Sequence, residues 1–253
     1  MWLPYAQGDT SGGRLQPPDA SHWLGTDRFG RDLLTQLMIG ARIALAVGAG
    51  AAVIGAIVGV TVGMLAAFAT RWLDHTVSAV LDTLIAFPTL LLAMLIVAAQ
   101  GASLGTAILA IGLALSAVVA RLTRILAKRV LAQQYVTAAR TAGTSWAGIV
   151  GRHILPNIWP TLSVNLALQF GAAVLAEASL SYLGLGAPPP NASWGRLLQE
   201  AQGTVAVAPA GAIAPGVVLV VGVNLVADGV RDIGDPTLRR ASRSGWTRGS
   251  GSA

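Results

Sequence analysis

The sequence predicts an all-α fold, a polytopic bundle of helices that cross a membrane. Hydrophobic residues make up 54% of the chain and charged residues only 11%, whereas about a quarter of the residues in a soluble domain are charged. The charged side chains are absent from several long apolar runs, as a hydrocarbon layer requires. These runs are continuous, whereas the strands of a membrane barrel would alternate apolar and polar residues.

Five apolar runs are long enough to cross the hydrocarbon core, which takes about 20 residues of helix. They cover residues 43–69, 78–99, 104–123, 158–180 and 209–228. In the first run, Gly55, Gly59 and Gly63 follow one another at four-residue spacing, which predicts a close approach of a neighbouring helix. Just before that run, Asp32 is expected to cap a short interfacial helix with one apolar face.

The basic residues predict the orientation of these spans. When residues 70–77, residues 124–157 and the C-terminus are placed in the cytoplasm, most basic residues lie on that side, as the positive-inside rule demands. We therefore expect a multi-pass protein of the plasma (inner) membrane with an extracytoplasmic N-terminal segment, a transmembrane domain and a cytoplasmic tail, at residues 1–31, 32–235 and 236–253. The same rule explains the sequence pI near 11.0 without a nucleic-acid partner.

The longest polar stretch between two spans, residues 124–157, has the pattern of a helical pair. Residues 131–142 predict one helix, Gly143 its end, and residues 144–153 a second helix, before Pro156 and Asn157 begin the next span. The stretch is too long for a simple turn. A compact helical projection is therefore expected on the cytoplasmic side.

This stretch resembles the EAA loop of ABC importer permeases. The resemblance rests on residues 137–139, on Gly143 and on residues 153–157, and the family's leading glutamate is Thr137 here. In that family the loop is a coupling helix that docks in a groove of the cytoplasmic ATPase. The resemblance implies an ATPase-coupling role for Thr137, Ala138, Ala139, Gly143, His153, Leu155 and Pro156.

Further stretches resemble the dipeptide, oligopeptide and nickel branch of these permeases, of the C-subunit type. They are residues 22–32, 177–186, 193–195 and 228–236, and they follow the family's order. The resemblance implies a type I ABC importer permease, which usually has six spans where this sequence shows five. It also implies an extracytoplasmic partner face that includes Gly25, Thr26, Asp27, Gly30, Arg31, Asp32 and Trp194.

Three polar residues lie in the outer part of the fourth predicted span: Glu177, Ser179 and Ser181. An ionised carboxylate at the centre of a membrane costs about 2.5 to 3.5 kcal/mol on insertion scales. We therefore expect Glu177 to be partnered, interfacial or exposed to water. Two interpretations stay open, which are contact with a partner permease and a place on the translocation path.

The resemblance implies a non-catalytic subunit with partners. A phosphate-binding loop needs Gly-Lys-Ser/Thr, and the single lysine, Lys128, stands between Ala127 and Arg129. No cofactor is expected in this chain, because ATP and Mg would be held by partner ATPases. The expected partners are a second homologous permease, two cytoplasmic ABC ATPase subunits or domains, an extracytoplasmic peptide-binding protein and membrane lipid, with no nucleic acid. The expected function is import of short peptides by alternating access.

Three other functions are alternatives. The family branch also includes nickel-chelate importers. A secondary transporter would be expected to show repeated halves and intramembrane ion sites, and neither is evident. An intramembrane serine protease is suggested by the G-x-S-x-G pattern at residues 101–105. All three histidines fall outside the predicted spans, so neither a base for Ser103 nor a metal site is predicted.

Overall fold

The computed structural model describes residues 3–188 and 191–234, and these form a bundle of α-helices. The helices are α1 Leu33–Phe68, α2 Arg71–Ala86, α3 Thr89–Gln100, α4 Leu104–Leu131, α5 Gln134–Thr141, α6 Trp146–Ile149, α7 Leu155–Tyr182, α8 Trp194–Ala201 and α9 Ala210–Gly234. A π-helical turn, Val150–Ile154, joins α6 to α7. Within these ranges the β pairing consists of an isolated bridge between Thr26 and Asp32. The all-α prediction is confirmed.

Three helices are long and apolar enough to cross a membrane, namely α1, α4 and the continuous helix Trp146–Tyr182. Helices α2 and α3 pass the same test together, although they are bent by 92°. The described residues thus hold three spans, or four if the bent pair is one span. The fifth predicted span falls in α9, whose apolar stretch is Ala210–Gly222. The predicted tail, residues 236–253, lies outside the described residues.

Helix α1 unites the predicted interfacial helix and the first predicted span. Asp32 caps α1 as predicted, because its carboxylate accepts a hydrogen bond from the backbone N–H of Thr35 at 2.8 Å. Gly40 does not break the helix; a Cβ there would lie 2.5 Å from Cδ1 of Trp194. At 1.5 Å per residue α1 is about 54 Å long, so its first turns stand outside a 30 Å hydrocarbon core.

Helices α1 and α4 pack closely along the predicted glycine face. Gly55, Gly59 and Gly63 are buried, and a Cβ on Gly59 would lie 2.6 Å from Cβ of Val119 on α4. Lipid provides no hydrophobic drive for helix association, so such close backbone packing must hold the pair together. Nearer the start of α1, Val47 and Ala51 form a hydrophobic core with Ile111 of α4 and Leu180 of α7.

The second predicted span, residues 78–99, is not a single helix. The chain leaves the helical conformation at Phe87, which has φ −78° and ψ 132°, and α3 begins after Pro88. A proline disfavours the α conformation in the residue before it and lacks the N–H that would continue the ladder. The polypeptide therefore bends sharply between α2 and α3.

The helix boundaries around residues 124–157 also differ from the predictions. Helix α4 continues to Leu131, and α5 begins at Gln134 instead of residue 131. Asn157 does not cap the next span, because the chain is already helical from Trp146, where Ser145 is the cap. In a regular α-helix the ring of Pro156 would clash with the carbonyl four residues earlier. That carbonyl lies in the π-helical turn, which lets the helix pass the proline without ending.

Charged side chains attach α2 to the end of α4 that leads into α5. Asp74 is 8% exposed, and its carboxylate accepts hydrogen bonds from Nε of Arg124 at 2.6 Å and from Nζ of Lys128. Asp82 and Arg121 form a second pair at 3.3 Å, but both side chains are more than half exposed. Because exposed pairs contribute little, the Asp74 cluster is the stronger attachment.

We expect Asp74→Asn to lower the free energy of unfolding in detergent by about 2 kcal/mol, because two cations lose a mostly buried anion. The matched control is Asp82→Asn, which should cost less than about 1 kcal/mol, since it breaks an exposed pair. Thermal unfolding of both variants measures the difference. Equal losses in the two variants would contradict this role for Asp74.

Candidate functional sites

The segment between α4 and α7 forms a short helical projection. Helix α4 ends with Lys128 and Arg129 in its last turn, where positive charge interacts favourably with the helix dipole. After α5, Gly143 adopts φ +86°, a conformation that glycine enters without steric cost. The N–H of Gly143 donates to the carbonyl of Arg140, and the N–H of Thr144 donates to that of Ala139. The predicted helix end at Gly143 is confirmed.

One buried side chain, Val136, attaches α5 to the membrane helices. Val136 is 1% exposed, whereas the other residues of α5 are exposed or partly buried. Its apolar neighbours come from α1, α4, α6, the π-helical turn and α7. We call this group the Val136 cluster, and its buried members are Ala67, Ala127, Val136, Ile149, Ile154 and Ile158. A displacement of α5 therefore acts on several membrane helices at once.

A cleft of about 790 Å³ opens beside α5. It is lined by Ala67, Phe68, Leu131, Val136, Thr137, Arg140, Thr141 and Trp146. The rings of Trp146 and Phe68 meet edge to face, with their centroids 5.0 Å apart. The guanidinium carbon of Arg140 lies 4.0 Å from the centroid of the Trp146 ring. Sequence analysis missed Trp146, although a tryptophan directly after the helix cap in a polar loop was a usable signal.

The predicted coupling residues occupy two parts of this projection. The first part is α5 with the turn that follows it, and the second is the π-helical turn with the start of α7. Thr137, Ala138, Gly143 and Pro156 are exposed, and Ala139, His153 and Leu155 are partly buried. His153 lies in the π-helical turn, and its ring is 5.9 Å from that of Tyr135 on α5. This contact brings the two parts together, and Leu155 packs against the Val136 cluster. Their coupling role stays a prediction.

A network of charged groups ties the N-terminal segment to α8. Asp27 accepts hydrogen bonds from the backbone N–H groups of Phe29 and Arg31 at 2.8 and 2.9 Å. The guanidinium of Arg31 donates to Asp27 at 2.5 Å and to Glu200 of α8 at 2.6 Å. Glu200 also accepts from Nε of Arg196 at 3.0 Å. Such charge-assisted bonds fix the segment against the helical bundle.

The residues predicted to form a partner face are mostly buried. Arg31 is partly exposed, and Gly25, Thr26, Asp27, Gly30, Asp32 and Trp194 are buried. Asp32 pairs with Nδ1 of His22 at 3.1 Å, and Nε1 of Trp194 donates to the carbonyl of Leu37. These side chains therefore hold the N-terminal segment, α1 and α8 together through buried contacts. The exposed aromatic residues beside them are Trp23 and Phe29, which sequence analysis did not single out.

Helix α7 places Glu177 and Ser181 together on one side and Ser179 on another. Glu177 is 2% exposed and accepts a hydrogen bond from the hydroxyl of Ser181 at 2.6 Å. Ser181 is buried as well, whereas Ser179 is exposed and donates to the carbonyl of Leu175. Glu177 and Ser181 thus brace α7 internally, and Ser179 lies on a different side of the helix.

The serine of the G-x-S-x-G pattern has a structural explanation. Ser103 caps α4, since its hydroxyl accepts a hydrogen bond from the N–H of Thr106 at 3.0 Å. The pattern marks the turn between α3 and α4. Across the described ranges no group of three or more His, Asp or Glu side chains could hold a metal ion.

Comparisons with known proteins agree on one family. Residues 59–240 match the family described as "Binding-protein-dependent transport system inner membrane component". The chain is 39% identical to the dipeptide transport system permease protein DppC of Alkalihalophilus pseudofirmus, over 93% of this chain and 78% of that protein. It is 36% identical to the glutathione transport system permease protein GsiD of Pectobacterium atrosepticum, over 88% and 75%. A putative peptide transport system permease protein of Brucella suis is 42% identical, over 89% and 77%.

Solved structures share the fold. A chain of the MetNI methionine ABC transporter in an inward-facing conformation aligns with a TM-score of 0.65 at 22% identity, over 78% of this chain and 96% of that one. A chain of an amino acid ABC transporter aligns with a TM-score of 0.60 at 16% identity, over 79% and 92%. At these identities the likeness establishes the fold alone.

The conformation of Gly143 generates a test of the projection. We expect Gly143→Val to cost about 1 to 2 kcal/mol locally, because a β-branched residue strongly resists φ near +86°. The matched control is Gly143→Asn, which should cost less, because asparagine tolerates this conformation. Tryptic cleavage after Arg140 should accelerate about fivefold or more in the valine variant. Identical cleavage rates in the two variants would contradict this conformation.

Proposed function

The chain belongs to the family of binding-protein-dependent transport system inner membrane components and is a permease subunit of an ABC importer, and we propose that it carries short peptides by alternating access. The observation that supports a driven mechanism is the attachment of α5. An exposed eight-residue helix is joined to the ends of membrane helices through the Val136 cluster. Docking of α5 on an ATPase would let nucleotide-driven closure move those helices.

The names of the relatives support a peptide substrate. Their transport systems are named for dipeptides, peptides and glutathione, and glutathione is itself a tripeptide. On α7 the side chains that point away from the packed core include uncharged amides and hydroxyls. Such groups suit a substrate with many hydrogen-bonding groups better than they suit a metal ion, which prefers carboxylate, imidazole or thiolate ligands.

The proposed complex has a second permease of the same family, two cytoplasmic ATPase subunits or domains, and an extracytoplasmic peptide-binding protein. ATP and Mg are held by the ATPases, and this chain is non-catalytic. Residues 124–157 then face the cytoplasm, where the basic residues of α4 and α5 satisfy the positive-inside rule. The N-terminal segment faces outward, and the exposed rings of Trp23 and Phe29 offer apolar contact to the binding protein.

This function is tested by isolating the complex through a tag on the chain in mild detergent and reconstituting it in liposomes. We expect a second permease and ATPases to accompany the chain, and we expect uptake of labelled di- and tripeptides that requires ATP. Unlabelled peptide should compete, and a nickel–histidine chelate should not. Uptake of the chelate without peptide uptake would establish the nickel alternative, and ATP-independent transport by the isolated chain would contradict the ABC mechanism.

A further inference from the structure

The cleft beside α5 has a polar side and an apolar side. Its polar lining groups are Thr137, Arg140 and Thr141, and all three belong to α5. Its apolar lining residues come mainly from the ends of α1 and α4 and from α6; they are Ala67, Phe68, Leu131, Val136 and Trp146. No carboxylate is among the described residues that line the cleft. The cleft therefore suits an anionic ligand that is itself amphipathic.

The cleft lies at the level of the lipid headgroups. Helix α1 ends at Phe68, and Arg71 is the first charged residue after the apolar run 43–69. Where such a run meets charge, the hydrocarbon core gives way to the headgroup region. Helix α5 packs against this end of α1 through Val136 and Ala67. The cleft between them therefore opens at the membrane surface, and α1 leads from it into the hydrocarbon core.

Positive charge at this end of the protein is only partly neutralised. Residues 71–152 contain seven lysine and arginine residues and two acidic residues, Asp74 and Asp82. Both carboxylates are already paired with basic groups of α4. The exposed arginines that form no salt bridge with a described carboxylate are Arg71, Arg129, Arg140 and Arg152. Such surplus charge attracts anionic lipid, and basic pockets between membrane helices bind anionic headgroups.

Arg140 stands where the polar and apolar sides of the cleft meet. Its guanidinium carbon lies 4.0 Å from the centroid of the Trp146 ring, and Trp146 in turn packs on Phe68. This cation–π contact holds the guanidinium in place without neutralising its charge. Guanidinium N–H groups match the geometry of phosphate oxygens, and tryptophan is enriched at the interface between lipid and water. The pair therefore fits a phosphate that is attached to an apolar body.

The cleft occupies one sector of α5. At about 100° per residue, Val136, Thr137, Arg140 and Thr141 fall within about 140° of the helix circumference. Ala138, which is exposed, lies outside this sector. An ATPase that docks on Ala138 therefore leaves the cleft free, and the two surfaces of α5 can have different partners.

We infer that this cleft binds an anionic phospholipid. The phosphate binds Arg140 and the neighbouring hydroxyls of α5, and the glycerol and first acyl carbons lie against the rings of Phe68 and Trp146. The volume of about 790 Å³ falls within the range of about 300 to 1,000 Å³ that is usual for ligand sites. Because Val136 both lines the cleft and packs in the Val136 cluster, the lipid rests against the attachment of α5. The site does not depend on which substrate the protein transports.

The direct test is photo-cross-linking with labelled lipid. The full chain, purified in mild detergent with the subunits that accompany it, is placed in phosphatidylcholine nanodiscs. These contain a small fraction of phosphatidylglycerol that carries a diazirine near the start of an acyl chain, and a parallel sample contains phosphatidylcholine with the same label. We expect adducts on the tryptic peptides that contain Phe68 and Trp146. Their yield should be about fivefold or more higher with the anionic lipid.

Matched charge removals separate this site from the general charge of the surface. Arg140→Gln should lower the phosphatidylglycerol yield about fivefold, to the level of phosphatidylcholine. Arg140→Lys keeps the charge and should retain at least about half of the yield. The control is Arg121→Gln, which removes the same charge from an exposed pair outside the cleft and should change the yield little. Equal losses in Arg121→Gln and Arg140→Gln would overturn the site in favour of diffuse attraction.

The remaining outcomes decide what fills the cleft. Equal yields from the anionic and the zwitterionic lipid would overturn the headgroup assignment. Loss of the adduct with millimolar inorganic phosphate would assign a site for free phosphate, and loss of the adduct when ATPases bind would assign the cleft to the ATPase; either result overturns the lipid site. An adduct in a complex that imports no peptide would refute the proposed function and support the lipid site.

Discussion

The packing of Val136 against the ends of the membrane helices is the contact on which the proposed coupling depends. An exposed short helix can transmit a displacement only if it is attached firmly, and α5 has one buried residue with which to do so. The cluster around Val136 joins it to α1, α4 and α7. Dense packing of branched side chains makes such a joint stiff. The glycine-mediated approach of α1 to α4 keeps the two receiving helices together.

Helix α7 connects the two ends of the molecule. At one end Ile158 is part of the Val136 cluster. At the other end α8 packs so closely on α7 that a Cβ on Gly195 would lie 1.8 Å from the carbonyl oxygen of Ala178. Glu200 of α8 in turn holds Arg31 of the N-terminal segment. A rigid-body movement of α7 would therefore displace contacts at both ends of the molecule. Alternating access in a pair of permeases needs this type of connection.

Sequence patterns predicted the features that depend on local physics. Continuous apolar runs predicted membrane helices, Asp32 predicted a cap, Gly143 predicted a helix end, and the four-residue glycine spacing predicted close packing. Each of these follows from a few neighbouring residues. The bend at Phe87 also had a local signal, Pro88, which the length of the apolar run outweighed. The passage of the helix through Pro156 required a π-helical turn, for which the sequence gives no reliable sign.

The functional surfaces were harder to predict, because they depend on contacts between distant residues. Asp27 lies in the N-terminal segment and Trp194 begins α8. Both are buried and hydrogen-bonded within the chain, Asp27 to Arg31 and Trp194 to the carbonyl of Leu37, and their place in a partner face stays a prediction. Glu177 and Ser179 are two residues apart, so helix geometry places them on different sides of α7, and tertiary packing decides that the side of Glu177 is the buried one. Burial, which is a tertiary property, decided each of these cases.

The most direct measurement of the coupling mechanism is site-specific photo-cross-linking from Ala138 on the exposed face of α5. In the assembled complex, a photoreactive residue at this position should cross-link to the ATPase, with a yield that changes when ATP is bound. The same residue in place of Tyr182, at the far end of α7, should give no ATPase adduct. An ATPase adduct from position 182, or an extracytoplasmic adduct from position 138, would contradict the proposed coupling and its orientation.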